Sequence, residues 1–107
     1  MEKVYFYCDW CDSNWAATAC EKVPGAIVLT GDTMEELRCE CKSTLDDHLD
    51  LMKEDGDEMP QWLADGEYEI EILYGTEGAK RRLEEEGYQD ADGRVRYSEE
   101  VRKMMEE

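Results

Sequence analysis

Five cysteines and a single histidine are the side chains of this 107-residue sequence whose types could ligate a metal or carry thiol chemistry. Cys8-Asp9-Trp10-Cys11 is a C-x-x-C, and Cys39-Glu40-Cys41 follows, so a four-thiolate zinc site is the first chemistry to weigh. Spacing argues against it. Positions two apart on a helix point about 200° away from each other, which turns Cys41 toward a core and Cys39 toward solvent. Redox catalysis needs its first thiolate at a helix N-terminus, whereas Cys8 ends a strand before a turn. The cysteines therefore read as small hydrophobes with one or two exposed thiols. His48 lies on an apolar stripe without convergent partners, which makes it a packed or hydrogen-bonded structural residue. No metal, cofactor or catalytic residue is expected, and the chain is expected not to be an enzyme.

Composition bounds the rest. Twenty-nine acidic against twelve basic residues give a formal net charge of −17, which disfavours polyanions as partners and suits a basic protein. The alternative is that the acids only solvate the surface. A chain of this length is one domain with room for an appendage. There is no run of 18 apolar residues and no charged-then-apolar leader, and an odd number of cysteines fits a reducing compartment, so the expected location is the cytoplasm, away from membranes.

The element that must position everything else is a long helix after Thr33. Ala26 to Thr30 reads as a short strand launched by Pro24-Gly25 and stopped by Gly31-Asp32. Thr33 with Glu36 three residues later forms a capping box in which each side chain serves the other's backbone N–H. Met34, Leu37, Cys41, Leu45, His48, Leu49 and Met52 then recur at steps of three and four on one stripe, until Gly56 and Pro60 end the helix. Before it, Val4, Phe6, Cys8 and Trp10 alternate with Tyr5, Tyr7 and Asp9 in a first strand. Trp15 to Cys20 returns as the second strand of a hairpin, with either Trp15, Ala17 and Ala19 or Ala16, Thr18 and Cys20 facing in. After the helix, Met59 and Trp62 sit in a polar connection over the sheet end, and Tyr68, Ile70 and Ile72 alternate with Glu67, Glu69 and Glu71 in a fourth strand.

Residues 75–107 predict a short helix around Ala79 to Glu86, a brief strand at 94–97 and a final helix to Met105 capped by Ser98. Seven of the twelve basic residues lie here, mixed with ten acidic ones. One ribbon and one helix do not make a complete reader of the DNA major groove.

With VPG before the third strand, TGDTMEEL at the strand-to-helix junction, HLDLMKEDGDEMP at the helix end, EYEIEI as the next strand and an aromatic N-terminal hairpin, residues 1–74 resemble the HicB-like antitoxins. The resemblance implies an α+β fold. It is a β-β-β-α-β partial RNase H-like sheet with one long helix packed on one face and the last strand parallel to the first, followed by a short, mostly helical C-terminal extension over 75–107. It also implies a non-catalytic binding protein that holds a small basic RNA-cleaving toxin of the HicA type. An RNase H-like sheet raises the question of nuclease activity, but Asp9 with Glu69 or Glu71 lacks a convergent helix carboxylate. The expected contact surface is the sheet face away from the helix, with Tyr5, Tyr7, Asp9, Glu69 and Glu71 joining aromatic anchors to acid. Cover of that face by the C-terminal tail is the competing expectation. A second function class is a self-associating regulatory module without a toxin, a homo-oligomer joined through strand edges or the tail.

Overall fold

A computed structural model describes residues 1–105. Its elements in chain order are β1 (Glu2–Trp10), β2 (Trp15–Ala19), β3 (Val28–Gly31), α1 (Met34–Asp55), α2 (Gln61–Ala64), β4 (Tyr68–Tyr74), α3 (Glu77–Glu86), β5 (Val95–Tyr97) and α4 (Glu99–Met105). The strands form one mixed sheet in the order β3-β2-β1-β4-β5. β1 pairs antiparallel with β2 and parallel with β4, and β5 adds parallel to β4. The fold is therefore α+β, beginning with three strands, the long α1 and the short α2 before β4, and the layer has five strands because the tail supplies the last one.

Thr33 starts α1 from extended backbone, its hydroxyl accepting the Glu36 N–H at 3.2 Å. The capping box is not reciprocal as expected, because the Glu36 carboxylate reaches past Thr33 and accepts the Asp32 N–H at 3.3 Å. Gly56 ends the helix at φ +72°, a left-handed conformation that favours glycine, with its N–H and that of Asp57 closing onto the Lys53 and Met52 carbonyls. Met34, Leu37, Cys41, Leu45, Leu49 and Met52 are all buried. They press on Val4, Phe6 and Cys8 of β1 and on Trp15, Ala17 and Leu29, so the alternatives for β2 resolve to Trp15 and Ala17 facing in. His48 departs from the stripe. It is half-buried at its edge, and its Nε2 lies 2.7 Å from the Pro24 carbonyl, so the tautomer carrying the proton there donates to the turn before β3.

Two boundaries differ from the pattern in the sequence. β3 begins at Val28, although the Ile27 carbonyl still accepts the Ala19 N–H. The connection after α1 contains the short helix α2, whose Leu63 is fully buried while Met59 and Trp62 pack partly against the core. Beyond residue 74, Ala79 and Val95 add to the same core.

One carboxylate ties the tail to the body. Glu86, at the end of α3, accepts the Trp15 indole N–H at 2.7 Å, the Met34 backbone N–H at 2.8 Å and the Arg82 Nε–H at 2.9 Å. Met34 opens α1, so this anion also sits at the positive end of the helix dipole. The Arg82 guanidinium in turn stacks over the Trp10 ring at 4.3 Å, and Trp10 meets Trp15 edge to face. Replacing Glu86 by Ala leaves the buried indole donor and a helix N-terminus without their acceptor. The expected loss is about 2–3 kcal/mol of unfolding free energy in a urea titration followed by tryptophan fluorescence, with Glu86→Gln losing less.

Candidate partner-binding face

The sheet has two faces, and parallel register sorts them. Val4, Phe6 and Cys8 stand beside Ile70, Ile72 and Tyr74 under α1, while Tyr5 and Tyr7 stand beside Glu71 and Leu73 on the opposite face. That opposite face is where Tyr5, Tyr7, Asp9, Glu69 and Glu71 were expected to meet a partner.

The structure brings the two tyrosines to a groove but engages all three carboxylates internally. Asp9 accepts the Thr76 hydroxyl at 2.5 Å and the Trp10 N–H at 2.8 Å, which pins it to the cap of α3. Glu69 pairs with Arg94 at 3.2 Å. Glu71 is only 4% exposed and lies between Lys3, at 2.6 Å, and Arg96. Burial pushes the Glu71 carboxyl up, but the Lys3 hydrogen bond and the charges of Arg96 and Lys3 outweigh it and hold the group below the usual carboxylate range.

The last helix, α4, packs on this face against β4. Ser98 accepts the Val101 N–H to start it, and Val101 is buried. The close seat depends on Gly75, where a Cβ would fall 2.2 Å from the Arg102 backbone nitrogen. Between α4 and β1 runs a groove of about 380 Å³ whose walls include Tyr5, Tyr7, Leu73 and Met104, with the exposed carboxylates Glu21 and Glu100 at its rim. The Tyr7 hydroxyl is pushed above its ordinary pKa by burial first, then by the charges of Cys20, Glu21 and Glu100. Tyr5 already carries a cation near its ring, the Lys22 ammonium at 5.8 Å. The acids that face this groove are therefore Glu21 and Glu100, which alternation within strands could not single out because they sit in a turn and in the last helix.

A second groove of about 420 Å³ opens on the α1 side, floored by Tyr68, Ile70 and Ile72. Its rim charges are already matched, Arg38 with Asp92, Lys42 with Asp46 and Arg94 with Glu69.

The thiols do not converge. Cys8, Cys20 and Cys41 are buried, Cys11 and Cys39 are exposed, and all five are free. Among the described residues no three His, Cys, Asp or Glu side chains gather as metal ligands. Burial pushes the Cys8 thiol well above its ordinary range and Cys41 up to about 12. No helix among the described residues is long and apolar enough to cross a membrane. Comparison of the chain with family models, with curated proteins and with solved structures returns no match.

Two outcomes follow. A thiol reagent at neutral pH should titrate Cys11 and Cys39 in the native protein and reach Cys8, Cys20 and Cys41 only on unfolding, which a colorimetric count with and without denaturant checks. Because Glu71's folded pKa is lowered, its contribution to stability is complete above the ordinary carboxyl value of 4.5 and disappears as pH falls through the lowered value. Glu71→Gln should remove that part of the acid dependence, measured as urea midpoints across that range in wild type and variant.

Proposed function

We propose that this protein is a non-catalytic binding module of the HicB antitoxin type, which holds a small basic RNA-cleaving protein of the HicA type and masks its RNA-contacting surface. The observation that carries the reading is the groove between β1 and α4. Tyr5 and Tyr7 offer aromatic surface there, and Glu21 and Glu100 stand exposed above it. A lysine or arginine entering it would leave water for aromatic surface and two carboxylates, competing there with Lys22 and Arg96, which also line the groove. The net charge of −17 adds long-range steering toward a basic partner and away from nucleic acid. The tail's ribbon and helix support no direct DNA binding, because β5 is a strand of the chain's own sheet and Val101 of α4 is buried against it. The β-β-β-α-β order, with β4 parallel to β1, agrees with the architecture that the resemblance implies.

The test is co-purification with a small basic RNA-cleaving toxin of the HicA type, followed by titration calorimetry. A complex should form at about 50 mM salt and weaken severalfold by about 300 mM as screening shortens the reach of the charges. The exposed double substitution Glu21→Lys with Glu100→Lys should weaken it on the order of tenfold or more without changing the circular dichroism. No binding at low salt would overturn the reading.

A further inference from the structure

The two ends of the sheet are treated differently. At one end β5 is three residues long, and its single buried valine is flanked by Arg94 and Arg96. Charged side chains of this kind are the usual guard against pairing with another chain. At the other end β3, Val28-Leu29-Thr30-Gly31, carries no charge and no proline, and among the described residues no strand of the sheet lies beyond it. Val28 is 70% exposed, the second most exposed large hydrophobic side chain among the described residues. The lack of charge extends inward. From Ser13 to Gly31, across β2 and β3, the only charged residues are Glu21 and Lys22, which are opposite in sign, in a chain where 38% of residues are charged.

The ladder states which backbone groups are offered. The Ala19 N–H bonds to the Ile27 carbonyl, and pairing continues through Thr18 with Val28, Ala17 with Leu29 and Ala16 with Thr30. Antiparallel pairs alternate between bonded and non-bonded, so Leu29 and Gly31 turn their N–H and C=O toward β2, while Val28 and Thr30 turn theirs outward.

We infer that the outer edge of β3 is a self-association surface, at which a second copy of this chain adds its own β3 antiparallel about a two-fold axis. The axis passes beside Leu29. Val28 of each copy then faces Thr30 of the other, each exchanging an N–H and a C=O, and their side chains meet on the face away from α1. Charge selects this occupant. Two molecules of net charge −17 repel everywhere that carboxylates meet, so close approach requires a strip without them, and the β2–β3 strip is such a place. A basic partner gains nothing from a strip without carboxylates.

The test is sedimentation equilibrium of the full chain in reductant, which keeps the exposed Cys11 and Cys39 from forming crosslinks of their own. At about 100 µM protein and 0.5 M salt, a concentration that reveals micromolar association, the mass should be twice 12.5 kDa. Dilution into low salt should shift it toward the monomer, since salt here relieves repulsion. Val28→Lys, which alters an exposed side chain, should raise the dissociation constant tenfold or more with an unchanged circular dichroism spectrum, while Val28→Thr should leave it nearly unchanged. A monomer at high salt, or a dimer indifferent to Val28→Lys, overturns the inference. Neither result touches the groove between β1 and α4. Conversely, a dimer that fails to bind any basic partner leaves the edge standing and removes the groove.

Discussion

Like-charge repulsion is the constraint that the rest of this structure answers. With 29 acids and 12 bases, each cation is needed where a carboxylate would otherwise oppose folding, and eight of the twelve bases stand in ion pairs among the described residues. The distribution is not even. Lys3 and Arg96 both serve Glu71, the one buried carboxylate among the described residues, and Arg82 serves Glu86 where it anchors α3 to α1. Exposed pairs such as Lys42 with Asp46 contribute little to stability, so the two converging on Glu71 matter most. The acids left over are concentrated outward, from Glu35 to Glu58 along and beyond α1. They are the source of the field, and the grooves and edges decide where it can be used.

The apolar side of the balance is simple by comparison. α1 lays six residues across β1, β2 and β3, and the core continues without interruption through Leu63, Ile72, Ala79 and Val95. Because residues beyond 74 furnish part of that core and one strand, removing them would expose Ile72 and the Trp15 indole rather than detach an appendage. A truncation at that point therefore reports on folding before it reports on assembly.

This division explains what the sequence could disclose. Period-based patterns were legible. The α1 stripe, the inward residues of β1 and the tail's helix-strand-helix order follow from alternation, steps of three and four, and capping residues, whereas the parallel placement of β4 comes from the resemblance. Long-range contacts were not. Alternation places Glu71 on the outward side of β4, and it is outward, but nothing local states that Lys3 of β1 and Arg96 of β5 close on it from the neighbouring strands. Gly75, before Thr76 and α3, reads as a helix boundary. Only the fold shows that its missing side chain makes room for Arg102. Glu86 looks like one more acid at a helix end, and its three hydrogen bonds span as many as 71 positions. Of the expected site, the tyrosines were readable as the far face of β1, whereas the acids beside them had to come from a turn and from α4.

The two surfaces proposed here respond to charge in opposite ways, and the sheet order keeps them apart. β2 separates the β3 edge from β1, where the groove begins, so pairing of two edges would leave both grooves open and facing outward. A dimer of that form would present two copies of the groove on one rigid sheet, and a basic protein with more than one exposed cation cluster could engage both with the gain that linkage brings. The coupling would run in both directions. Each basic partner bound cancels part of the −17 that holds two copies apart, which favours edge pairing, and edge pairing concentrates acid where the partner binds. Equilibrium linkage requires those two effects to be equal in free energy.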